Sequence, residues 1–174
     1  MLRHDDLHQS AMKYYSHRFD TIEQYLHHRP PYLLVDQIES IAETEIVTVK
    51  TVSGDEYFLA GHFPEAAVFP GAMLQELTTQ SAGILIAANF NPMPDYRTAD
   101  PHFNAYALGV LVRVHHARYK FFARPGDRLI VHTRLSEHLD NLFNFESSVF
   151  NGGRKIMRNS FQLANIPSDV LQGR

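Results

Sequence analysis

The sequence predicts an α+β fold in which an antiparallel sheet wraps around one long buried helix. Two observations carry that prediction. Residues 71–90, GAMLQELTTQSAGILIAANF, place apolar or small residues on most sides and hold a single charged residue, Glu76. A helix of that composition is buried on nearly all faces. Residues 105–166 break into short segments separated by Arg124-Pro125-Gly126-Asp127, Asp140-Asn141 and Asn151-Gly152-Gly153. Regular turn signals between such segments indicate an antiparallel meander, and one helix with one sheet is an α+β architecture.

The elements follow in chain order. Tyr14, Tyr15, Phe19, Ile22, Tyr25 and Leu26 recur at roughly helical spacing, which predicts an amphipathic helix from Ser10 to Leu26, within an N-terminal helical extension over about 1–26. Arg29-Pro30-Pro31 ends it, because proline lacks the backbone donor and restricts its predecessor. Tyr32–Ile41 and Glu45–Val52 read as a strand pair, the second rich in β-branched residues. Ser53-Gly54-Asp55 is a turn, and Tyr57-Phe58-Leu59 a short apolar strand leading into Gly61-His62-Phe63-Pro64. The long helix enters after Pro70-Gly71 and at about 1.5 Å per residue runs about 30 Å. Asn91–Asn104 is a long loop. The meander then comprises Ala105–Val114, Ala117–Ala123, Arg128–His138, Leu142–Phe150 and Lys155–Ile166.

Composition narrows the function. At 174 residues the chain has the size of one domain that buries its own core. The net charge of −3, with no run of one sign, gives no reason to expect nucleic acid or a membrane surface. The absence of cysteine excludes disulfides, thiolate metal sites and cysteine nucleophiles. No secretory leader or spanning segment is expected, which places the protein in the cytoplasm. Eleven histidines occur, none in a zinc-ligand spacing, and most read as surface residues, with His28 structural. No metal and no cofactor is expected.

Glu76 needs an explanation of its own. An ionised carboxylate in a dry helix environment is costly. It must be paired, for instance with Arg113 or Arg118, or wetted, or protonated. A raised carboxyl pKa is a common mark of a catalytic acid.

The run Gly61-His62-Phe63-Pro64-Glu65-Ala66-Ala67-Val68-Phe69-Pro70-Gly71-Ala72-Met73-Leu74-Gln75-Glu76 resembles the active-site signature of FabZ-type 3-hydroxyacyl-[acyl-carrier-protein] dehydratases. Glu76 follows His62 by fourteen positions, and Gln80 completes an E-x-x-x-Q. Residues 26–36, LHHRPPYLLVD, are similar to that family's L-P-H-R-Y-P-F-L-L-V-D. Arg118-Tyr119-Lys120-Phe121 and Arg124-Pro125-Gly126-Asp127 are similar to its R-F-K and V-P-G-D. The resemblance spans roughly residues 26–166. His27 replaces a proline and Pro30 an aromatic, Thr78-Thr79 replaces smaller or apolar residues, and residues 1–25 and 91–104 look like additions.

The resemblance implies the hotdog fold and dehydration of 3-hydroxyacyl thioesters to trans-2-enoyl thioesters. The pathway would be fatty acid biosynthesis or a related polyketide or polyene route. His62 would be the base and Glu76 the acid, meeting across a dimer from opposite subunits. Taken alone, His62 reads as a turn histidine bonded to backbone; the interval to Glu76 reverses that. Gly71, at a helix start, would supply an oxyanion donor, or serve simply as the entry glycine. Gln80 would hold the acid, or else pack. Phe63 and Phe69 would bind substrate, and with Phe58, Met73 and Leu77 line an acyl tunnel; ordinary core is the plainer reading of each. Arg113, Arg118, Lys120, Arg124 and Arg128 form a basic rim for an acyl carrier protein bearing 3-hydroxyacyl-phosphopantetheine, or a solvated strand surface. The expected assembly is a homodimer or a trimer of dimers. A hotdog thioesterase and a non-catalytic acyl-binding subunit are the alternatives; the presence of both His62 and Glu76 disfavours each.

Overall fold

The computed structural model describes residues 12–100, 103–171 and 173. A six-stranded antiparallel sheet curves around one helix. The strands are β1 (Gln37–Ile41), β2 (Glu45–Thr51), β3 (Tyr106–Tyr119), β4 (Arg128–Leu139), β5 (Leu142–Asn151) and β6 (Arg154–Pro167). The helix α1 runs Gly71–Asn89, and a short α2 covers Ser168–Leu171. The sheet order is β1-β2-β4-β5-β6-β3, so β1 and β3 are the edges.

The two-residue period of the strands builds the core. In β4, Leu129, Val131, Thr133 and Leu135 are buried, while Arg128, His132, Arg134 and Ser136 face water. Phe143, Phe145, Ser147 and Val149 do the same in β5. Against this inner face α1 is continuously buried from Leu77 to Ala88. Its small residues permit close approach: a Cβ on Gly109 of β3 would lie 3.0 Å from the Gly83 Cα. Gly109 has φ of +74°, a conformation that suits glycine.

Four local expectations change. Over the described residues 12–26 the chain is not an amphipathic helix; only Ile22–Gln24 forms a 3₁₀ turn, and the described residues before it are irregular, with one bridge from Tyr15 to Asn91. Tertiary bonds outweigh the weak helical pattern here. The Tyr15 N–H donates to Asn91 O, the His17 N–H to Ala88 O, and the Arg18 guanidinium to Ala88 O and the Asn89 side chain. The segment thus satisfies carbonyls left open at the end of α1, and its aromatics pack on Phe90, Tyr96 and His138. Residues 32–36 are not strand, because the Gln80 side chain takes up their backbone groups. Tyr57-Phe58-Leu59 is a chain of turns, with the Leu59 N–H bonded to Glu56 O and the His62 N–H to Leu59 O. Residues 106–119 form one strand where two were expected; bulges opposite β6 absorb the break in pattern.

Candidate active site

His62 sits on the turn that carries the chain from β2 to α1. The Val68 N–H donates to the His62 carbonyl at 2.9 Å, closing the turn, and the imidazole stacks on Phe63 with ring centroids 4.2 Å apart. The ring nitrogen Nδ1 lies 2.9 Å from Val68 O. A carbonyl only accepts, so Nδ1 carries the proton. In the neutral ring Nε2 then keeps its lone pair and is the basic nitrogen.

Gly71 opens α1 directly behind Pro70, its N-cap. The first backbone N–H groups of a helix have no partner within it and attract negative charge. A Cβ at Gly71 would stand 3.2 Å from the Tyr119 ring, so glycine leaves the approach to this donor open. His62, Gly71, Phe69 and Leu74 line one cavity of about 190 Å³, closed by residues 119–122 beyond the end of β3. Phe69 is a core residue at its wall, in edge contact with Phe58. Phe63 is exposed and its ring covers His62.

Glu76 lies just over one turn further along α1 and faces a different cavity, of about 490 Å³. That cavity is bounded by Leu26, His28, Tyr32 and Gln80 on one side and by residues 107–111 of β3 on the other. Burial raises the Glu76 pKa above the ordinary carboxyl value, and hydrogen bonds from Gln80 and Tyr32 partly oppose the rise. The Gln80 amide donates to Glu76 Oε1 at 2.9 Å. It also donates to Tyr32 O at 2.9 Å and accepts from the Leu34 N–H at 2.8 Å. Gln80 therefore bonds the Glu76 carboxyl and also clamps the backbone of Tyr32 and Leu34.

The partner of Glu76 is neither Arg113 nor Arg118. His28 Nε2 stands 3.8 Å from Glu76 Oε1. Burial, then the neighbouring His27 and Arg29, lower the His28 pKa, so the contact at neutral pH is between an imidazole and a carboxyl rather than two full charges. Reading His28 as structural did not place it beside Glu76. The signal was its position in the 26–36 run, two residues past Leu26. Phe58, Met73 and Leu77 border neither of these two cavities and belong to the core or its margin.

His62 and Glu76 thus occupy separate half-sites, one toward each end of β3. Along that edge Leu111, Val112, Val114, Tyr119, Phe121 and Phe122 are exposed. Arg113, Arg118, Lys120, Arg124 and Arg128 are exposed on β3 and along the chain to the start of β4.

Residues 26–160 match the FabA-like domain family. The 3-hydroxyacyl-[acyl-carrier-protein] dehydratase FabZ of Acinetobacter baumannii is 35% identical over 120 residues, 68% of this chain and 75% of that protein. The enzyme of the same name from Coxiella burnetii is 34% identical over 126 residues, 72% of this chain and 82% of that protein. Among solved structures, the dehydratase heterocomplex ApeI:P from Xenorhabdus doucetiae superposes with a TM-score of 0.69 at 18% identity, covering 89% of this chain and 97% of that one. A hypothetical thioesterase with coenzyme A from Streptococcus pneumoniae gives 0.54 at 14% identity, over 75% and 85%. At those identities the structural likeness speaks for the fold alone, and that fold is the hotdog.

Proposed function

The chain belongs to the FabA-like family, and on that premise we propose that it dehydrates 3-hydroxyacyl thioesters carried on acyl carrier protein to trans-2-enoyl thioesters, as a step of fatty acid or related acyl-chain synthesis. His62 Nε2 takes a proton from C2. The C2–C3 double bond forms as the C3–O bond breaks. Glu76 gives its proton to the departing hydroxyl, which leaves as water. The backbone N–H of Gly71 bonds the thioester oxygen as it gains negative charge. Loss of water then leaves His62 protonated and Glu76 ionised, and solvent exchange resets both.

The observation that carries this reading is a basic imidazole nitrogen and a part-buried, raised-pKa carboxyl set toward opposite ends of one edge strand. Within one chain the two groups line different cavities. Antiparallel pairing of β3 with its copy, about a two-fold axis through the strand's middle, sets the Glu76 end of one subunit beside the His62 end of the other. The exposed apolar side chains along β3 give that edge something to bury. A homodimer with two shared sites is the minimal active unit in this reading, whether or not dimers assemble further. The exposed basic residues from Arg113 to Arg128 then rim each entrance and suit an acidic carrier protein.

The test is an assay of reversible dehydration on acyl carrier protein across short, long and aromatic 3-hydroxyacyl groups. Turnover is expected in the wild type and is lost in folded His62→Ala and Glu76→Gln. Thioester hydrolysis in place of dehydration would instead support the thioesterase reading. Absence of any reaction from folded protein would turn the assignment toward acyl binding.

A further inference from the structure

With the thioester oxygen at Gly71, C2 at His62 and C3 at Glu76, the acyl tail from C4 onward has the Glu76 cavity to enter; this much rests on the dehydratase reading. Two close approaches give the course of that cavity. A Cβ on Gly71 would stand 3.2 Å from the Tyr119 ring, and one on Gly109 3.0 Å from the Gly83 Cα. The helix α1 and the strand β3 therefore run antiparallel to one another. Glu76 lies toward the Leu111 end of the β3 stretch that borders the cavity, and Gly83 lies opposite Gly109. From Glu76 to Gly83 the helix rises about 10 Å, at about 1.5 Å per residue.

At the level of Gly83 the cavity meets Tyr96. Leu26 packs there, its Cδ2 3.2 Å from the place of a Gly83 Cβ. Tyr96 is fastened to the residues on either side of Leu26. Its O–H donates to Tyr25 O at 3.0 Å, and its ring meets the His27 ring edge-on with centroids 5.7 Å apart. Tyr96 borders the cavity and yet is only 6% exposed. Behind it stand the His17 and Phe19 rings, at 6.2 Å and 6.3 Å from its centroid and stacked on each other. This backing is tied to the 91–104 loop. The Tyr15 N–H donates to Asn91 O, His17 Nε2 to Met93 O, and the Thr98 hydroxyl to Glu23 O. The matched family domain begins at residue 26, and 91–104 is the other stretch that the resembling pattern leaves out. Both additions meet at the Tyr96 ring.

We propose that Tyr96 is a specificity-determining residue: it closes the acid's cavity at the level of Gly83 and sets the longest acyl tail that the protein accepts. Past Gln80 the cavity is bordered by Leu26, Gly83, Leu108, Val110 and Leu171, an apolar lining that suits a hydrocarbon tail. The Tyr96 hydroxyl is already given to a backbone carbonyl, so the cavity meets the ring rather than a free donor. Bonded at its hydroxyl and backed by two further rings, the side chain has no open space to swing into. A tail that outruns the cavity meets a fixed wall. Ser168 and Leu171 of α2 border the cavity as well, and the Ser168 N–H donates to Ala105 O just ahead of β3.

The experiment measures kcat/KM for dehydration of straight-chain 3-hydroxyacyl groups of increasing length on acyl carrier protein. In Tyr96→Ala the ratio of kcat/KM for tails beyond the wild-type limit to those within it is expected to rise about tenfold, the scale on which a pocket discriminates by a methylene. Tyr96→Leu keeps the position apolar and packed; it should move the limit less, in the same direction, and it serves if the alanine variant does not fold. Tyr96→Phe keeps the ring, and with it the wild-type limit. A limit that stays in place in the folded alanine and leucine variants overturns the proposal, since the tail then leaves past α2. A uniform loss at every length, or a wild type with no length limit, overturns it too. If the wild type dehydrates nothing, the dehydratase reading falls by itself. The cavity is then tested by calorimetry with alkyl thioethers of pantetheine over the same lengths. A binding limit that lengthens in Tyr96→Ala upholds the wall; an unmoved limit, or no binding, overturns it.

Discussion

At the residue scale, geometry decides roles that residue type leaves open. A histidine in a turn is ordinary until its Nδ1 is found on the Val68 carbonyl, which leaves Nε2 as the nitrogen free to accept a proton. A glutamate in an apolar helix is costly until its cavity, Gln80 and Tyr32 account for it. The sign of the Glu76 shift gives a pH prediction. Burial raises its pKa, so the protonated form persists to higher pH than that of an ordinary glutamate carboxyl, at 4.5. The limb of the kcat/KM profile that belongs to Glu76 is therefore expected above that value, and a limb at or below it would count against this carboxyl as the acid. Gly109 gives a stability prediction. In Gly109→Ala the new methyl meets the Gly83 Cα at 3.0 Å, a backbone atom that has little room to yield, at positive φ. Loss of about 1–3 kcal/mol is expected, read as a lowered Tm.

At the element scale, the 26–29 segment and the 91–104 loop are tied through His27. The Arg97 N–H donates to Asn104 Oδ1, which fixes the amide so that Nδ2 donates to Arg97 O and to His27 Nε2, the latter at 2.8 Å. That nitrogen must then be unprotonated. Burial, then Arg29, lower the His27 pKa below 6.5. A depressed histidine contributes stability that is present above the unfolded value and is lost as pH falls through the folded one. Amide exchange in the loop, corrected for its intrinsic pH dependence, is expected to quicken on acidification below about 6.5. In His27→Leu that acid response should disappear; if it persists, another group is responsible. The β3 edge makes a second prediction at this scale. Val112 is half exposed on an edge strand, and Val112→Lys is expected to shift sedimentation toward the monomer and to remove dehydration with it.

At the scale of the whole molecule, the proposed function makes assembly part of the chemistry, because His62 and Glu76 line separate cavities of one chain. Mixed dimers of His62→Ala and Glu76→Gln contain one site with both groups intact and one with neither. Random re-association of the two inactive proteins is therefore expected to restore about a quarter of wild-type activity; no recovery, with mixed dimers demonstrated, would place both groups of each site in one chain.

The sequence by itself determined the buried helix, the antiparallel meander and the candidate residues. Each of these lies in a local pattern: apolar or small residues on most sides of 71–90, period-two burial in β4 and β5, and a fixed interval from His62 to Glu76. Tertiary structure alone decided the rest. The aromatic segment before Ile22 is irregular rather than helical because open carbonyls at the end of α1 bind it more firmly than its helical spacing holds it. Strand character yields over residues 32–36 because Gln80, distant in sequence, supplies their backbone partners. His28 reaches Glu76 for the same reason: contacts made between residues more than forty positions apart leave no periodicity in the chain, and only the packed fold brings them together.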